Sequence, residues 1–388
     1  MRVVLCANGR SPHAVRWANG VVDRGHEIAL VWPTAAFVGA DLSNFRPSVS
    51  HHIFDLPSVR REPWTLRPGS HRPSRLARQL EPDLVHGFYL SSGGLVAHSF
   101  GVHPLVLTAL GSDVHNLSRS DGGSLSNRLD EAYLVFRTRR AVADADLVLT
   151  DSTGLVTAIR ERMPGTEIDL VRFGVEIGEP VPSARLNWRR RLHIDDNALV
   201  ILSSRLLRPN YNIDWIIRAL PAVRREIPGA ILALKEMPSF SDSEYRRHIL
   251  ELAESLGVSE AICHIGELGR EELLELYLAA DIYVSVPSSD GTAVSVLEAM
   301  AARVPVIASD VPGIDPAILR NELTALLVAP RAADSLAKAI VRLGKDVELR
   351  RQLSENARDV ARRLGDFEKE LDRAVALYEQ LAAPVEST

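Results

Sequence analysis

Short apolar runs rich in β-branched residues alternate with amphipathic stretches along most of the chain. The run VVLCA (3–7) shows no polar alternation, the pattern of a strand covered on both faces. A turn at Asn8-Gly9-Arg10 follows, and Ser11-Pro12 starts a helix over 12–24 that stops at Gly25. EIALVW then resumes as a strand, which completes a βαβ unit. Further strands are predicted at DLVHGF (83–88), PLVLTAL (104–110), LVLT (147–150) and DLVRF (169–173), with a long periodic helix over 125–143.

The alternation breaks over 176–196, where prolines and charges show no clear period. This stretch reads as an interdomain linker leading into a short helix. A second alternation follows. Strands are predicted at 198–204, 230–235, 261–266, 281–287, 305–309 and 324–329, and helices at 213–227, 243–257, 270–280 and 295–303. Long helices close the chain over 332–344 and 347–382. Two successive α/β halves are therefore expected, each a doubly wound parallel sheet.

At 388 residues, 46% hydrophobic and 24% charged, the chain has the size and composition of two soluble globular domains. A net charge of -5 disfavours a nucleic-acid binder. Cys6 and Cys263 sit in strand-like runs and read as buried thiols, with no disulfide framework or zinc cluster. The N-terminus runs straight into a strand rather than a signal peptide, and no apolar stretch is long enough to span a membrane. A cytoplasmic location is expected. The segment 60–78 carries Arg60, Arg61, Arg67, Arg72, Arg75 and Arg78 against one acid, Glu62. It reads either as a solvated loop or as a patch for an anionic acceptor or anionic lipid heads at the inner membrane face.

The candidate chemistry lies in VSVPSSDGTAVSVLEAMAARVPVIASDVPG (284–313). A buried strand ends at Pro287, and Ser288, Ser289 and Asp290 are placed to cap a following helix. Gly291 allows a tight turn and close backbone approach. Thr292, Ala293 and Val294 then open the helix, so their free N–H groups point out at the carboxyl edge of the sheet, where a pyrophosphate would sit. Glu298 follows Thr292 by about 9 Å of helix axis, which suits hydrogen bonds to ribose hydroxyls. Asp290, ahead of the helix, suits sugar hydroxyls. The bland alternative is one more capped helix of an α/β domain.

This run resembles the donor motif of the retaining, family-four glycosyltransferases of GT-B fold. That motif is a carboxylate, seven residues, a glutamate in a Leu-Glu-Ala-Met context, then Pro-Val-Ile-Ala-Ser. Here Asp290 is followed by Leu297-Glu298-Ala299-Met300, Pro305-Val306-Ile307-Ala308-Ser309 and Pro312-Gly313-Ile314. Other segments agree: Asn8-Gly9-Arg10-Ser11-Pro12-His13, Pro82-Asp83-Leu84-Val85-His86, Gly111-Ser112-Asp113, Phe173-Gly174-Val175 and Asn321–Val328.

The resemblance implies an α/β GT-B fold of two facing Rossmann-like domains. Residues 1–180 with a crossover helix over 366–388 would bind the acceptor, and residues 181–365 the donor. It implies transfer of a sugar from a nucleoside-diphosphate donor to an acceptor hydroxyl, with retention of configuration and no metal or other cofactor. The acceptor would be a small molecule, a lipid-linked species or a glycan. Donor contacts fall on Arg205, Lys235, Gly266, Asp290, Gly291, Thr292, Ala293, Val294, Ser295 and Glu298. Acceptor contacts fall on Asn8, Gly9, Ser11, His13, Gly111, Ser112 and Asp113. The catalytic set is Arg205, Asp290, Asp113 and His13. His86 has a weaker claim, and Asp144-Ala145-Asp146 sits at the wrong sheet edge for a metal-diphosphate motif.

Three departures stand out. The first carboxylate of the pair is Asp290, where the family more often has glutamate. The usual Phe-Gly reads Thr292-Ala293. The diphosphate-binding lysine that follows Arg205 by about five residues is replaced by Asn210, leaving Arg208 or Lys235 to supply the charge. This last departure keeps open a sugar-nucleotide-binding partner protein without activity. A nucleotide-sugar epimerase of the same fold is the third reading.

Overall fold

The computed structural model describes residues 1–33, 37, 41–54, 71–115, 125–176, 182–237 and 241–383. The chain divides into two compact units, Met1–Phe173 with Phe367–Thr388, and Gly174–Asp366.

The first unit is built on seven strands: β1 Arg2–Cys6, β2 Glu27–Pro33, β3 Ser50–Phe54, β4 Leu84–Phe88, β5 Leu105–Ala109, β6 Leu147–Thr150 and β7 Ile168–Leu170. All pair in parallel, in the order β3-β2-β1-β4-β5-β6-β7. The apolar runs bury completely in β4, β5 and β6, as strands covered by helices on both faces must. β3, with the sequence SHHIF, was not expected from the pattern. It is an edge strand paired only to β2, so its register needs little apolar sequence. The strand order reverses between β1 and β4, and the loop at Asn8–Ser11 leaves from that switch point. After β4 the chain enters a π-helical turn, Tyr89–Gly93, that leads into the helix Gly94–Ser99. Gly93 allows this, because a Cβ there would collide with the Cys6 and Phe88 carbonyl oxygens.

The second unit carries β8 Val200–Ser203, β9 Ile231–Lys235, β10 Ile262–Ile265, β11 Ile282–Ser285, β12 Val306–Ser309 and β13 Leu326–Val328. These six are also all parallel, ordered β10-β9-β8-β11-β12-β13. Strand alternation splits its core into two layers. Ile201, Leu232, Leu234, Val284 and Ile307 face one side, against Ile213, Ile217, Leu220 and Ile340. Leu202, Ala233, Tyr283, Val306 and Ala308 face the other, against Tyr277, Leu297, Met300 and Ala361. Each fully buried Leu or Ile here contributes about 1.5–3 kcal/mol of transfer free energy.

Two sequence expectations are corrected, and a third is located. The closing helix 347–382 is two helices, Val347–Leu364 and Phe367–Ala382. At the break, the Val175 N–H donates to the Gly365 carbonyl at 2.6 Å, and a Cβ on Gly365 would press on the Ala361 carbonyl and Leu297. The second helix then packs Leu371, Ala374, Val375 and Tyr378 into the first unit.

The short helix expected at the end of the linker stretch is Pro182–Arg191, within the second unit, while residues 177–181 lie outside the described residues. The buried Arg189 donates to the carbonyls of Asp195, Asp196 and Ala198 and to Asp281 at 2.7 Å. It therefore fixes the entry to β8, a role that its charge conceals in a hydrophobicity pattern.

The arginine-rich segment read as a loop is helical over His71–Leu80, where Ala77 and Leu80 are buried and Arg75 and Arg78 exposed. Arg60, Arg61 and Arg67 lie outside the described residues.

Candidate active site

In the second unit the strand order reverses between β8 and β11, so the loops leaving these two strands flank a topological switch point. Arg205 follows β8, and Pro287–Ala293 follow β11. The helix after β11 runs Val294–Ala301 with Ala293 as its N-cap, later than the sequence suggested. Ser288 and Ser289 do not cap it. The Ser288 hydroxyl pairs with the Asn212 side chain and the Ser289 hydroxyl with Asn210 Oδ1. Asn212, held at φ 53°, also donates to the Val286 carbonyl at 2.8 Å and so ties the two loops together. Gly291 and Thr292 are buried, which moves the accessible start of the helix to Ala293, Val294 and Ser295. Val296 and Leu297 are the first amides to bond back, both to the Ala293 carbonyl. The amides of residues 293–295 thus precede the ladder, at the positive end of the helix dipole. The Thr292 hydroxyl, on a residue only 4% exposed, has no hydrogen-bond partner among the described residues.

Arg205 sits against this helix start. One guanidinium nitrogen donates to Asp290 at 2.7 Å and another to Ser295 Oγ at 3.1 Å, and its plane lies 4.2 Å from the centre of the Tyr211 ring. Burial opposes its charge, and the Asp290 carboxylate more than offsets this.

A hydrogen-bonded chain runs from here to Glu298. Tyr277 Oη donates to Glu298 Oε2 at 2.9 Å. Ser204 Oγ lies 2.9 Å from Tyr277 Oη and 3.0 Å from Tyr283 Oη, and Tyr283 also meets the Ser295 side chain. The direction of the chain follows from its ends. Tyr277 spends its one proton on the carboxylate, so Ser204 donates to Tyr277, and Tyr283 in turn donates to Ser204. Arg205, a donor only, closes the far end through Ser295. Five hydroxyl and guanidinium donors therefore point the same way, from the cation Arg205 to the anion Glu298. Glu298 itself is 7% exposed, with its other oxygen 4.0 Å from Arg270.

Lys235 ends β9 on the same face of the sheet as Ala233, the face that carries Glu298. It is 5% exposed and makes no hydrogen bond or ion pair to a described residue. Burial lowers its pKa, while Glu267 and Glu298 pull it back up. Next to it, the buried Glu236 accepts from Arg246 at 2.8 Å and pairs with His264 at 2.6 Å. Gly266 is exposed at the end of β10, with open space where a Cβ would point.

In the first unit, Asn8 is exposed and its side chain accepts from the Arg10 N–H, while its carbonyl accepts from Ser11. Gly9 is buried under the Trp32 ring, which leaves no room for a Cβ. His13 packs edge-on to Phe173 at 5.1 Å. Gly111 adopts φ 85°, and Ser112 begins a short helical turn. Asp113 accepts backbone N–H groups from Leu90, Leu110 and Val114 at 2.9–3.0 Å. Burial raises its carboxyl to about 6, against the pull of these amides. In this arrangement Asp113 latches two loops together. His86 is likewise internal: Trp17 donates to Tyr378 Oη at 2.9 Å, Tyr378 lies 2.5 Å from His86 Nδ1, and His86 Nε2 lies 2.6 Å from Thr108 Oγ1. Asp144 pairs with His98 and Arg140, and Asp146 with His103 and the Leu105 N–H.

The family profile described as "Glycosyl transferases group 1" matches residues 184–360, and "Glycosyl transferase 4-like" matches residues 2–152. A D-inositol 3-phosphate glycosyltransferase of Actinosynnema mirum is 28% identical over 96% of this chain and 92% of its own length. One from Saccharomonospora viridis is 29% identical over 79% of this chain and 72% of its own. The chain belongs to the group 1 glycosyltransferases. Sugar transfer from a nucleotide-sugar donor is the activity of this glycosyltransferase. Its fold is that of sucrose-phosphate synthase from Thermosynechococcus elongatus, with TM-score 0.82 at 20% identity over 98% of both chains. Anabaena HepE, solved with UDP-glucose, has TM-score 0.77 at 16% identity over 98% of this chain and all of that one.

Sequence reasoning missed Tyr277, Tyr283 and Ser204 as members of the glycosyltransferase's polar chain, and Tyr211 as the ring under Arg205. Tyr277 and Tyr283 occupy apolar positions of a helix and a strand, so their hydroxyls were hidden in the core pattern. Among the described residues, no group of three or more His, Cys, Asp and Glu side chains is gathered to hold a metal ion. No described helix is long and apolar enough to cross a membrane.

Proposed function

We propose that this glycosyltransferase binds the diphosphate of its donor on the amides of Ala293, Val294 and Ser295, with Arg205 beside them. Glu298 takes the ribose hydroxyls and Asp290 the hydroxyls of the transferred sugar. The observation that carries this reading is the single oriented hydrogen-bond chain joining Arg205 and Glu298 at the open start of the helix Val294–Ala301. It holds a cation and a carboxylate at the two places where a nucleoside diphosphate presents its phosphates and its ribose. Breaking the glycosidic bond builds negative charge on the leaving diphosphate, and pre-oriented amides and a guanidinium stabilise that charge without reorganising. The donor is then a co-substrate, and the reaction uses no separate cofactor.

Transfer proceeds with retention of anomeric configuration, the leaving phosphate helping to deprotonate the acceptor hydroxyl. Asn8, Gly9, Ser11, His13 and the turn Gly111–Asp113 of the first unit form the acceptor side. The curated relatives' activity on D-inositol 3-phosphate makes a small phosphorylated polyol the first acceptor to try.

Thermal-shift measurement of the whole chain with UDP, GDP, ADP and their sugars tests the reading. A raised melting temperature with one nucleoside diphosphate, followed by sugar transfer of unchanged anomeric configuration, is the expected result. Free epimer formed without acceptor would point to an epimerase, and binding without transfer to any acceptor would point to a partner protein.

A further inference from the structure

One peptide of the first unit is held by both of its polar groups in a conformation that its residue resists. Tyr89 adopts φ 62°, in the left-handed region that a bulky residue rarely enters. Such a conformation persists only where the surroundings over-determine it, and it clusters at working sites. Two bonds do so here. The Tyr89 carbonyl accepts the Gly94 N–H across the π-helical turn Tyr89–Gly93. The Leu90 N–H, the other half of the same peptide, donates to Asp113 Oδ2 at 2.9 Å. In the first turn of a helix such an N–H has no preceding carbonyl to take it, so the bond must come from outside. The turn itself is seated on the end of β1, since a Cβ on Gly93 would lie 2.1 Å from the Cys6 carbonyl oxygen. β1 leads into Asn8–Ser11, so the turn borders the proposed acceptor loop at the switch point between β1 and β4.

The other oxygen of Asp113 serves its own loop. Oδ1 accepts the Leu110 N–H at 2.9 Å and the Val114 N–H at 3.0 Å, around Gly111 at φ 85°. Of the three bonds, only the one to Leu90 joins the loop after β4 to the loop after β5. The residue is 5% exposed and both oxygens are bonded to backbone donors, so the carboxylate is spent inside the unit rather than offered to a ligand. We propose that Asp113 is a positioning residue of this glycosyltransferase: its Oδ2 locks the strained Tyr89–Leu90 peptide against the turn Gly111–Asp113, so that the acceptor meets two rims already in place. Rims set in advance spare the acceptor the cost of ordering loops as it binds. The latch therefore acts on acceptor binding more than on the chemical step.

This role rests on the acceptor side proposed above. Asp113→Asn separates the three bonds without changing the shape of the side chain. Its one carbonyl oxygen goes where two donors point, toward Leu110 and Val114, which turns its NH2 onto the Leu90 N–H, donor against donor. Amide hydrogen exchange of the full chain, unmodified and as Asp113→Asn, is read at Leu90 and Val114. Initial-rate kinetics use D-inositol 3-phosphate and the sugar nucleotide that most raises the melting temperature of the unmodified chain. Exchange at Leu90 is expected to quicken about tenfold or more in the variant, with Val114 unchanged. The acceptor KM is expected to rise about five- to tenfold, the donor KM to hold, and kcat to fall by no more than about threefold. A kcat about a hundredfold lower at the parental acceptor KM would put the carboxylate on the reacting atoms and overturn the proposal. Unchanged exchange at Leu90, or faster exchange with the parental acceptor KM, would overturn it as well. Failure of the unmodified chain to use D-inositol 3-phosphate would instead remove that acceptor, and the latch would then stand or fall on the exchange at Leu90.

Discussion

Arg205 donates to Asp290 across 2.7 Å, with the two side chains only 10% and 19% exposed. The carboxylate thus neutralises, in the ligand-free chain, the cation that the proposed site offers to the donor phosphates. In that site, donor binding pulls Arg205 away from Asp290 or shares it. Removing the charge of Asp290 should therefore separate binding from turnover. Asp290→Asn is expected to tighten nucleoside-diphosphate binding by about 1 kcal/mol, roughly fivefold. It should also slow sugar transfer by about a hundredfold. Titration of the diphosphate alongside kcat measurement checks both; a variant weakened in binding as well would show that the pair does not compete with ligand.

Tyr277 is the last donor of the chain that ends on Glu298. Tyr277→Phe keeps the buried ring and removes one proton. Nucleotide affinity is expected to drop about five- to tenfold, roughly the net worth of one ordinary hydrogen bond. Ser204→Ala interrupts the same chain one link earlier and should act less than additively with it. Full additivity in the double-mutant cycle would mean that the hydroxyls act independently.

Gly9 lies against the Trp32 ring, with no space for a Cβ. Gly9→Ala is expected to destabilise the first unit by about 1–3 kcal/mol through overpacking. Chemical denaturation measures it, and a variant as stable as the parent would show that Trp32 yields freely.

Burial pushes the His86 imidazole down to about 3, from an ordinary value of 6.5. A depressed histidine stabilises the fold fully above pH 6.5 and loses that contribution as pH falls toward 3. Between pH 6.5 and about pH 4, His86 should account for about 3 kcal/mol of lost stability. His86→Gln is expected to be less stable at neutral pH but flatter across this interval. Urea midpoints followed against pH decide it, and parallel slopes for the two chains would remove His86 as the acid-sensitive group.

The two-sheet architecture was readable because parallel strands covered on both faces give unbroken apolar runs, as in VILS (200–203) and IYVS (282–285). The edge strand SHHIF escaped notice for the opposite reason, since a strand with one neighbour needs no such run. The role of Arg189 escaped notice because a buried guanidinium satisfied by carbonyls looks, in sequence, like any surface arginine. Asp290 and Glu298 stood out by spacing within a helix-start pattern. The side chains that join them did not, because Tyr277, Ser204 and Tyr283 come from three separate segments and meet only when the sheet forms. The start of the helix at Val294 rather than Thr292 depends on backbone bonding to Ala293, which no residue type announces.

In the proposed site, Glu298 holds the ribose of a nucleotide whose phosphates rest on the amides of residues 293–295. Calorimetric titration of Glu298→Ala with the nucleoside diphosphate that best stabilises the parent chain, with circular dichroism to verify the fold, tests this most directly. The predicted result is a native spectrum with binding weakened at least about a hundredfold, the loss of charged-acceptor bonds to two ribose hydroxyls. A native spectrum with parental affinity would contradict it.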